Sequence, residues 1–236
     1  MLDIEKLIKD YEPNEQAIEL VRSTKVVLLA GITGAGKDTI KKRLLKMPYF
    51  RDIVSHTTRL PRINNGKSEE DGVDYHFIDQ PTAMEMLQKR EFVEAKFVHG
   101  TIYGTSVAEI KLAYDQNKVA ITDIDVQGVA EYEKLSPCGI AIFIVPPTYQ
   151  TWIERLKKRY KTEADFQAEW PKRRQSSIEE LKHALEVPYY HVIINDLDDV
   201  VQICHEIIER GDIFSSRDDH ARLAARSLLD ELEKIH

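Results

Sequence analysis

Apolar residues along the chain fall into short continuous runs separated by longer amphipathic segments. The runs at Val26–Ala30, 118–124 and 140–145 are too short for core helices, and their β-branched residues predict buried strands. Two further strands are predicted at 52–55 and 191–194. Because strands that alternate with helices are typical of a parallel sheet covered on both sides, the pattern predicts an α/β fold.

The amphipathic segments predict helices before, between and after these strands. They cover residues 2–11, 15–22, 39–46, 109–115, 149–158, 178–185 and 200–210. A last helix is predicted over 219–235, with an apolar stripe of Leu223, Leu228, Leu229, Leu232 and Ile235 near one face. Such a stripe must be covered, and we expect it to pack on the body of the same chain. The turn-rich stretch 62–74 predicts a loop.

Composition and charge narrow the classes of partner. The 236 residues are 42% hydrophobic and 31% charged, and the formal net charge of −7 provides no basic field for binding nucleic acid. Cys138 and Cys204 are too few for a disulfide framework, so we expect reduced thiols in a cytoplasmic protein. No apolar run approaches the roughly 18 residues of a membrane span. We therefore expect neither nucleic acid nor a membrane as a partner.

A glycine-rich loop follows the first predicted strand. Residues 31–37 read G-x-x-x-x-G-K between a strand and a helix, which is the context of a phosphate-binding P-loop. Glycines let several N–H groups face one concavity, the helix N-terminus adds positive potential, and Lys37 would reach the outer phosphates. The spacing differs from the dinucleotide fingerprint G-x-G-x-x-G. The alternative is a chance glycine turn with an exposed lysine.

One position departs from the P-loop motif. Asp38, followed by Thr39, stands where the motif has a magnesium-binding Ser or Thr. A carboxylate beside phosphates costs affinity unless a metal or a basic side chain offsets its charge. We hypothesise that Asp38 points away from the phosphates or binds the metal through water.

Two clusters of basic residues suit phosphate chemistry. Arg59 and Arg62 lie among hydroxyl residues in SHTTRLPR at 55–62, a combination that fits a phosphate monoester. The segment 155–174 gathers Arg155, Lys157, Lys158, Arg159, Lys161, Lys172, Arg173 and Arg174. Phosphoryl transfer requires such positive charge around the transferring group. Taken alone, each cluster has the alternative of being a solvated charged surface.

Four blocks together resemble the guanylate kinase family. They are SHTTRLPR at 55–62, DYHF at 74–77, EFVEAKFVHGTIYGTS at 91–106 and DIDVQG at 123–128. They stand in the family's order downstream of the P-loop, and NDLDD at 195–199 is similar to the family's closing segment. The resemblance covers residues 25–210. It implies ATP-dependent phosphorylation of GMP and dGMP, with ATP as the phosphoryl donor and Mg²⁺ as a cofactor.

The resemblance also implies an architecture. It predicts a three-layer P-loop fold with a parallel core sheet, a GMP-binding lobe and a mobile lid. On this basis the chain is one domain over 1–236, with these parts: core 25–55, 116–156 and 181–210; GMP-binding lobe 56–115; lid 157–180; helical extensions 1–24 and 211–236.

Residue roles carry over from the family by position. The resemblance implies that the GMP phosphate contacts Ser55, Arg59, Arg62, Tyr75 and Tyr103, and that the guanine contacts Glu94 and Thr105. Asp123 and Asp125 would lie near the acceptor, with Asp123 reaching the metal through water. The expected ATP contacts are Gly31, Thr33, Gly34, Ala35, Gly36, Lys37, Asp38, Thr39 and Asn195. The expected catalytic residues are Lys37, Arg59, Arg155, Arg159 and Arg173.

Several alternatives stay open at this stage. The lid register leaves Arg173 and Arg174 as competing candidates, and the two aspartates could simply serve turns after a strand. The tripeptide at 36–38 also resembles ribose 1,5-bisphosphate phosphokinases, which share the guanylate kinase fold but phosphorylate a sugar phosphate. A non-catalytic guanylate kinase-like binding module is the alternative from a different class. A monomer and a homodimer are both compatible with the sequence.

Overall fold

The structure is a computed structural model of the 236-residue chain. It describes residues 4–64, 67–98, 100–136, 139–196, 199–210 and 216–234. Some predicted features lie outside the described residues: the Cys138 thiol, Ile235 of the last apolar stripe and positions 197–198 of the closing segment.

The helices begin at side-chain caps in several places. Asp79 accepts from the Thr82 N–H at 2.9 Å, and Thr148 accepts from the Thr151 N–H at 3.1 Å, so each satisfies a donor of the first turn. In chain order the helices are α1 (Ile4–Lys9), α2 (Glu15–Ser23), α3 (Lys37–Leu44), α4 (Gln80–Gln88), α5 (Val107–Asp115), α6 (Val126–Leu135), α7 (Tyr149–Lys157), α8 (Glu163–Glu186), α9 (Val200–Arg210) and α10 (Ser216–Lys234).

The strands include the predicted apolar runs. In chain order they are β1 (Val26–Ala30), β2 (Phe50–Asp52), β3 (His56–Thr57), β4 (Ile63–Asn64), β5 (Lys67–Ser68), β6 (His76–Phe77), β7 (Phe92–Val98), β8 (Thr101–Ser106), β9 (Val119–Asp123), β10 (Ile140–Val145) and β11 (Tyr190–Ile194). Every residue of β1 and β10 is buried. Both faces are covered, which is why these runs are continuously apolar rather than alternating.

The first compact unit comprises Met1–Val26, Pro48–Thr122 and Ala130–Gly139. Its sheet has the order β6-β3-β8-β7, with β7 at one edge, and β2 pairs with β9 in parallel. A buried apolar cluster supports β7 and β8, and its members are Ala83, Leu87, Phe92, Ala95 and Ile102. Residues of α1 pack against that cluster.

The second compact unit comprises Val27–Met47, Asp123–Val129 and Ile140–His236. In it β10 pairs in parallel with both β1 and β11, and residue Ile142 stands opposite Leu29 on one side and His191 on the other. Helices connect these parallel strands, as the sequence pattern predicts. The carboxyl end of β1 leads directly into the glycine-rich loop and α3.

Two predicted elements have wrong bounds. The strand expected at 52–55 is β2 at Phe50–Asp52, because the ladder with β9 pairs Phe50 through Asp52. The stretch 62–74 contains a short antiparallel hairpin, β4–β5, that the loop prediction missed. Asn-Gly, the sequence between these strands, is frequent in two-residue hairpin connections and could have indicated it.

The helix expected at 178–185 is much longer. It is α8, which begins at Glu163 and includes Pro171. The sequence prediction missed this start because the segment contains a proline and many charged residues. A capping box marks the start of the helix. Thr162 Oγ1 accepts a hydrogen bond from the Asp165 N–H, and Asp165 Oδ2 accepts one from the Thr162 N–H, both at 3.1 Å. Phe166 and Trp170 pack as neighbouring rings one turn apart, with centroids at 5.5 Å.

Helix α10 packs on α8 and β11 of its own unit, which confirms the expected docking on the same chain. Its buried positions are Ala221, Ala225, Leu228, Leu229 and Leu232. Leu223 is 69% exposed, so its predicted place in the apolar stripe is wrong. The small residues at 221 and 225 continue the buried face toward the helix start, and Leu223 lies off that face.

Two polar side chains of α10 bind the backbone of β11, which stands at the end of its strand order. Asp218 Oδ1 accepts from the Val192 N–H at 2.6 Å, and Arg222 Nη2 donates to the Tyr190 carbonyl at 2.7 Å. Asp218 Oδ2 also accepts from Arg222 Nε at 2.7 Å. An outer strand has unpaired backbone groups, and α10 satisfies two of them.

Candidate active site

The glycine-rich loop of the second unit needs glycine for steric reasons at both ends. A Cβ at Gly31 would lie 2.3 Å from the Ile144 carbonyl oxygen, and one at Gly36 would lie 2.1 Å from Asn195 Nδ2. Gly36 has φ of +99° and directly precedes α3. The first turn of a helix leaves N–H groups without intrahelical acceptors, so the loop ends on a cluster of donors suited to an anion.

Lys37 and Asn195 both contact this loop. The Lys37 ammonium donates to the Gly31 carbonyl, and Asn195 Nδ2 donates to the Ala35 carbonyl at 2.7 Å. Asn195 is held in turn by its own N–H, which donates to the Val145 carbonyl at 2.8 Å. The end of β11 therefore braces the loop, which brings the predicted residue Asn195 together with the P-loop.

Helix α7 supplies further contacts to the loop. Trp152 is fully buried, and its Nε1 donates to the Thr33 carbonyl at 2.8 Å. Arg155, one turn further, lies with Nη2 3.5 Å from the Asn195 carbonyl. Arg159 pairs with Asp38 at 3.6 Å on the exposed side of the loop. The structure thus brings Arg159 to Asp38 at the start of α3 and Arg155 to Asn195.

The two candidate arginines of α8 have different surroundings. Arg174 Nε donates to the carbonyl of Leu232 in α10 at 2.8 Å. Arg173 Nε donates to the hydroxyl of Tyr160 at 3.2 Å, in the segment between α7 and α8. Arg174 therefore joins α8 to α10, whereas the Arg173 side chain contacts Tyr160 and stays 39% exposed.

Two aspartates follow β9, and they differ in role. Asp123 Oδ1 accepts from the Lys41 ammonium at 2.6 Å. Burial raises the pKa of Asp123, but Lys41 outweighs that effect and, with Lys37, holds the pKa below its ordinary value. Asp125 Oδ1 accepts from the Gly128 N–H at 2.7 Å, which is helix-start chemistry for α6. Asp123 is therefore an ionised carboxylate, and Asp125 caps the first turn of α6.

Glu180 of α8 is a charged neighbour of this site that the sequence analysis missed. Burial raises its pKa to about 7, and the positive charge of Lys37 opposes that effect while the carboxylate of Asp125 adds to it. Glu180 lies two helical turns beyond Arg173 on α8 and so near the same face. The sequence could not reveal the effect of Lys37 on Glu180, since the two residues are far apart in the chain and no local motif marks their proximity.

The first unit gathers the predicted phosphate contacts around Arg59. Its guanidinium lies over the Tyr75 ring, 4.7 Å from the centroid, and Tyr75 meets Tyr103 edge-on at 6.2 Å. Both carboxylate oxygens of Glu69 accept from Arg59, at 2.5 and 2.9 Å. That hydrogen bonding holds the pKa of Glu69 below its ordinary value against the opposing effect of burial. Sequence analysis assigned no role to Glu69.

Ser55 and Arg62 flank this group differently. The Ser55 carbonyl accepts from the His76 N–H at 2.9 Å, which places Ser55 next to the Tyr75 segment. The side chain of Arg62 is exposed, while its backbone N–H donates to Glu69 Oε2 at 2.8 Å. The Glu69 carboxylate thus accepts hydrogen bonds from both ends of the turn, from the Arg59 side chain and from the Arg62 N–H.

The predicted base contacts face each other on neighbouring strands. Glu94 of β7 stands opposite Thr105 of β8, and Glu94 Oε1 accepts from the Thr105 N–H at 2.9 Å. Both residues are buried. Tyr132 is a buried neighbour that the sequence analysis missed: burial raises its pKa, the Glu94 charge adds to this, and a hydrogen bond with the Thr105 side chain opposes it.

A second buried carboxylate, that of Glu109, binds the backbone just before β3. Glu109 Oε2 accepts from the Val54 N–H at 3.2 Å, and its Oε1 lies 3.1 Å from His76 Nε2. The His76 ring packs on His56 at 4.6 Å. Burial lowers the pKa of His56 to about 4, so His56 is neutral at physiological pH. Glu109 therefore anchors the backbone directly before Ser55.

The same order of features occurs in a known family. A sequence profile described as Guanylate kinase matches residues 23–211. The chain belongs to the guanylate kinase family. The matched span holds the glycine-rich loop, the Arg59 turn and the Glu94–Thr105 pair, together with Arg155, Arg159 and Arg173. The predicted resemblance is therefore confirmed, and helices α1 and α10 lie outside the matched span.

Individual guanylate kinases from distant organisms align with most of the chain. Guanylate kinase 1 of Oryza sativa subsp. japonica is 35% identical over 199 residues, which are 83% of this chain and 49% of the relative. Guanylate kinase of Methylobacillus flagellatus is 36% identical over 170 residues, 72% of this chain and 80% of the relative. The chain spans about half the length of the rice relative and most of the bacterial one.

A solved guanylate kinase shares the fold. The crystal structure of guanylate kinase from Anaplasma phagocytophilum superposes with a TM-score of 0.60, covering 82% of this chain and 89% of that chain at 23% identity. This likeness confirms the predicted mixed α/β fold with a parallel core sheet. Relatives named guanylate kinase are nucleoside monophosphate kinases, and the family implies ATP as the phosphoryl donor.

No group of three or more His, Cys, Asp and Glu side chains is arranged to hold a metal ion in the described parts of the chain. Among the described helices, none has both the length and the hydropathy that a membrane crossing requires.

Proposed function

We propose that this guanylate kinase family member transfers the γ-phosphoryl group of ATP to the phosphate of GMP or dGMP. The observation that carries the proposal is the buried pair of Glu94 and Thr105. Glu94 is fixed by the Thr105 N–H, and the side chains of both residues are buried on neighbouring strands. A buried carboxylate held in this way suits the paired N–H donors of a bound base.

Guanine matches the chemistry of this pair. Its N1–H and 2-amino group are adjacent donors that one carboxylate can accept together, and a hydroxyl can donate to O6. Adenine has no donor at N1 and carries an amino group in place of O6. The buried Glu94 carboxylate would then face an acceptor, and leaving that charge unpaired costs about 1–3 kcal/mol or more.

The other predicted residues would act on phosphate charge. Lys37 and the N–H groups at the start of α3 bind the phosphates of ATP, and Arg59, supported by Tyr75, binds the phosphate of GMP. Arg155, Arg159 and Arg173 neutralise charge that develops on the transferring group. The chemistry requires positioning and charge neutralisation rather than a covalent intermediate on the protein.

Magnesium fits the residues present. The lowered pKa of Asp123 keeps this carboxylate ionised, as an oxygen ligand for Mg²⁺ must be. Mg²⁺ commonly binds through one or two carboxylates together with substrate phosphates and retained waters, so a larger protein cluster is unnecessary. Asp123 would hold the ion through water, and the ion would supply charge neutralisation between the phosphates.

A coupled assay with ATP and magnesium tests the function. We expect kcat/KM for GMP or dGMP to exceed that for AMP by at least about a thousandfold, since sites built on such hydrogen bonds discriminate strongly. UMP and ribose 1,5-bisphosphate complete the panel. Preference for ribose 1,5-bisphosphate, comparable use of AMP, or no turnover at all would each overturn the proposal.

Glu94→Gln tests the residue assignment. The amide oxygen can still accept from the Thr105 N–H, so the fold is retained, but the side chain can no longer accept from both guanine donors. We expect the GMP-to-AMP ratio to fall, mainly through loss of GMP activity. Glu91→Gln, at an exposed position just before β7, is the matched control and should leave the ratio unchanged.

We expect the chain to act on small nucleotides in the cytoplasm, without nucleic acid. Light scattering on the purified chain, with and without GMP, distinguishes a monomer from a homodimer.

A further inference from the structure

A tyrosine near the amino end binds both backbone groups of one residue in the base-binding strand. Tyr11, which follows α1, donates from its hydroxyl to the Phe92 carbonyl at 2.6 Å and accepts from the Phe92 N–H at 3.0 Å. Burial raises the pKa of Tyr11 to about 12, so the hydroxyl keeps its proton at neutral pH. Tyr11 thus acts toward Phe92 as a neighbouring strand residue would.

Phe92 begins an irregular step in the β7–β8 ladder. Phe92 pairs with Ser106 and Glu94 pairs with Thr105, so two steps along β7 correspond to one step along β8. Val93 is therefore an inserted residue of the bulge type. Bulges disrupt the ladder and redirect the side chains that follow them. The side chain that directly follows this one is Glu94.

Register decides which way Glu94 points. Successive strand residues face opposite sides of a sheet, so a slip of one residue at Phe92 would turn Glu94 away from Thr105. Among the described strands, β7 is the last in its sheet, so none of them pairs with its outer side to hold its register. The Tyr11 hydroxyl supplies two hydrogen bonds at that edge, two residues from Glu94.

Apolar packing holds Tyr11 in place. Leu7 and Ile8 of α1, together with Tyr11, pack on the buried cluster that contains Leu87 and Phe92. This amino-terminal segment lies outside residues 23–211 that match the guanylate kinase profile. The matched domain therefore receives a contact to its base-binding strand from a segment that the family profile does not include.

We propose that Tyr11 is a positioning residue for base recognition: its hydroxyl fixes the Phe92–Glu94 step of β7 and so sets the direction of the Glu94 carboxylate. The inference rests on the proposed function, because it assumes that Glu94 binds guanine. It predicts that the amino-terminal segment contributes to nucleotide specificity and not only to stability.

Tyr11→Phe in the full chain tests the proposal, because it removes the hydroxyl and keeps the ring. Binding of GMP and of IMP is measured by calorimetry without ATP. IMP lacks the 2-amino group, so the GMP-to-IMP affinity ratio reports how well the Glu94 carboxylate meets two donors at once. We expect this ratio to fall about five- to tenfold in Tyr11→Phe, the scale of one hydrogen bond lost or misaligned. The KM for ATP should stay unchanged.

Ile8→Ala separates positioning from stability. It removes an apolar contact with the same cluster but no hydrogen bond to Phe92, so it should lower the thermal midpoint without changing the GMP-to-IMP ratio. An unchanged ratio in Tyr11→Phe, with the wild type preferring GMP, overturns the inference alone. An equal loss of the ratio in Ile8→Ala also overturns it. A wild type that binds GMP no better than IMP overturns the base-reading role of Glu94 and the inference with it.

Discussion

Glu69 holds the Arg59 guanidinium with both carboxylate oxygens, at 2.5 and 2.9 Å, while the Tyr75 ring lies under the same guanidinium. The side chains of Arg59 and Glu69 are each only 10% exposed. The orientation of Arg59 is therefore set by the protein, because Glu69 binds both terminal nitrogens of its guanidinium.

Glu69→Gln should weaken GMP binding. An amide has one acceptor oxygen, so the paired hydrogen bonds to Arg59 are lost and the guanidinium gains freedom that binding must remove. We expect KM for GMP to rise about tenfold, with kcat nearly unchanged, because charge-assisted pairs are worth about 1.5–3 kcal/mol. Steady-state kinetics measures this, and Glu70→Gln at the exposed neighbouring position is the control. A lower KM would instead mean that Glu69 competes with the phosphate.

Lys37→Ala should act mainly on turnover. Removal of one preorganised charge donor commonly costs about 10²- to 10³-fold in kcat, and we expect at least the lower value. Lys42→Ala, at an exposed position on the same helix α3, controls for loss of a positive charge. Circular dichroism should show a folded variant in both cases. A folded Lys37→Ala protein with near-normal kcat would refute the P-loop assignment.

Asp38→Ser should be tolerated. Asp38 pairs with Arg159 at 3.6 Å, but both side chains are more than half exposed, at 59% and 52%. Exposed pairs contribute about 1 kcal/mol or less, so kcat/KM should stay within about fivefold of wild type. The serine also restores the residue type usual at this P-loop position. Complete loss of activity in a folded Asp38→Ser protein would show that the carboxylate is essential.

Glu180→Gln should change the pH dependence of stability. Burial raises the pKa of Glu180 from 4.5 to about 7 in the folded chain. The folded state therefore binds the proton more tightly than the unfolded state. The stabilisation that the folded state gains from this bound proton is complete below about pH 4.5 and is lost as pH rises through about 7. Above pH 7 the buried charge is a cost that the neutral amide avoids.

Urea unfolding across pH measures this effect. At pH 8 we expect Glu180→Gln to be more stable than wild type by about 1–3 kcal/mol, and near pH 4 the difference should vanish. Glu179→Gln on the exposed side of α8 is the control, with no such pH trend. A variant that is less stable than wild type at pH 8 would show that Lys37 or Arg173 stabilises the ionised carboxylate more than burial opposes it.

Asp218→Ala should destabilise the chain without altering catalysis. It leaves the Val192 N–H and the Arg222 guanidinium without their carboxylate, which costs about 2–3 kcal/mol. Asp219→Ala, exposed on the same helix, is the matched control. Truncation after Arg210 should lower the thermal midpoint further, with modest effects on KM. Unchanged stability with a shift in apparent mass would identify α10 as an oligomer contact instead.

The local parts of the candidate site could be predicted from the sequence. Val26–Ala30, Gly31–Lys37 and the helix after them are encoded within one short segment, so periodicity and glycine spacing suffice. The roles of Glu94 and Thr105 came from the resemblance. The structure adds that these two residues stand opposite each other in one ladder and that the Glu94 carboxylate accepts from the Thr105 N–H.

Residues that act through distant partners could not be predicted in this way. Tyr11 and Phe92 are 81 positions apart, and Asp218 and Val192 are 26 apart. The pKa of Glu180 depends on charges on α3 and after β9. In the sequence, nothing distinguishes Glu69, which binds Arg59, from the other acidic residues of its loop. Sequence patterns report which face of an element is apolar, because that property repeats along the chain. Which polar groups meet is decided only when the elements pack, because burial then makes each hydrogen bond and charge pair depend on its specific partner.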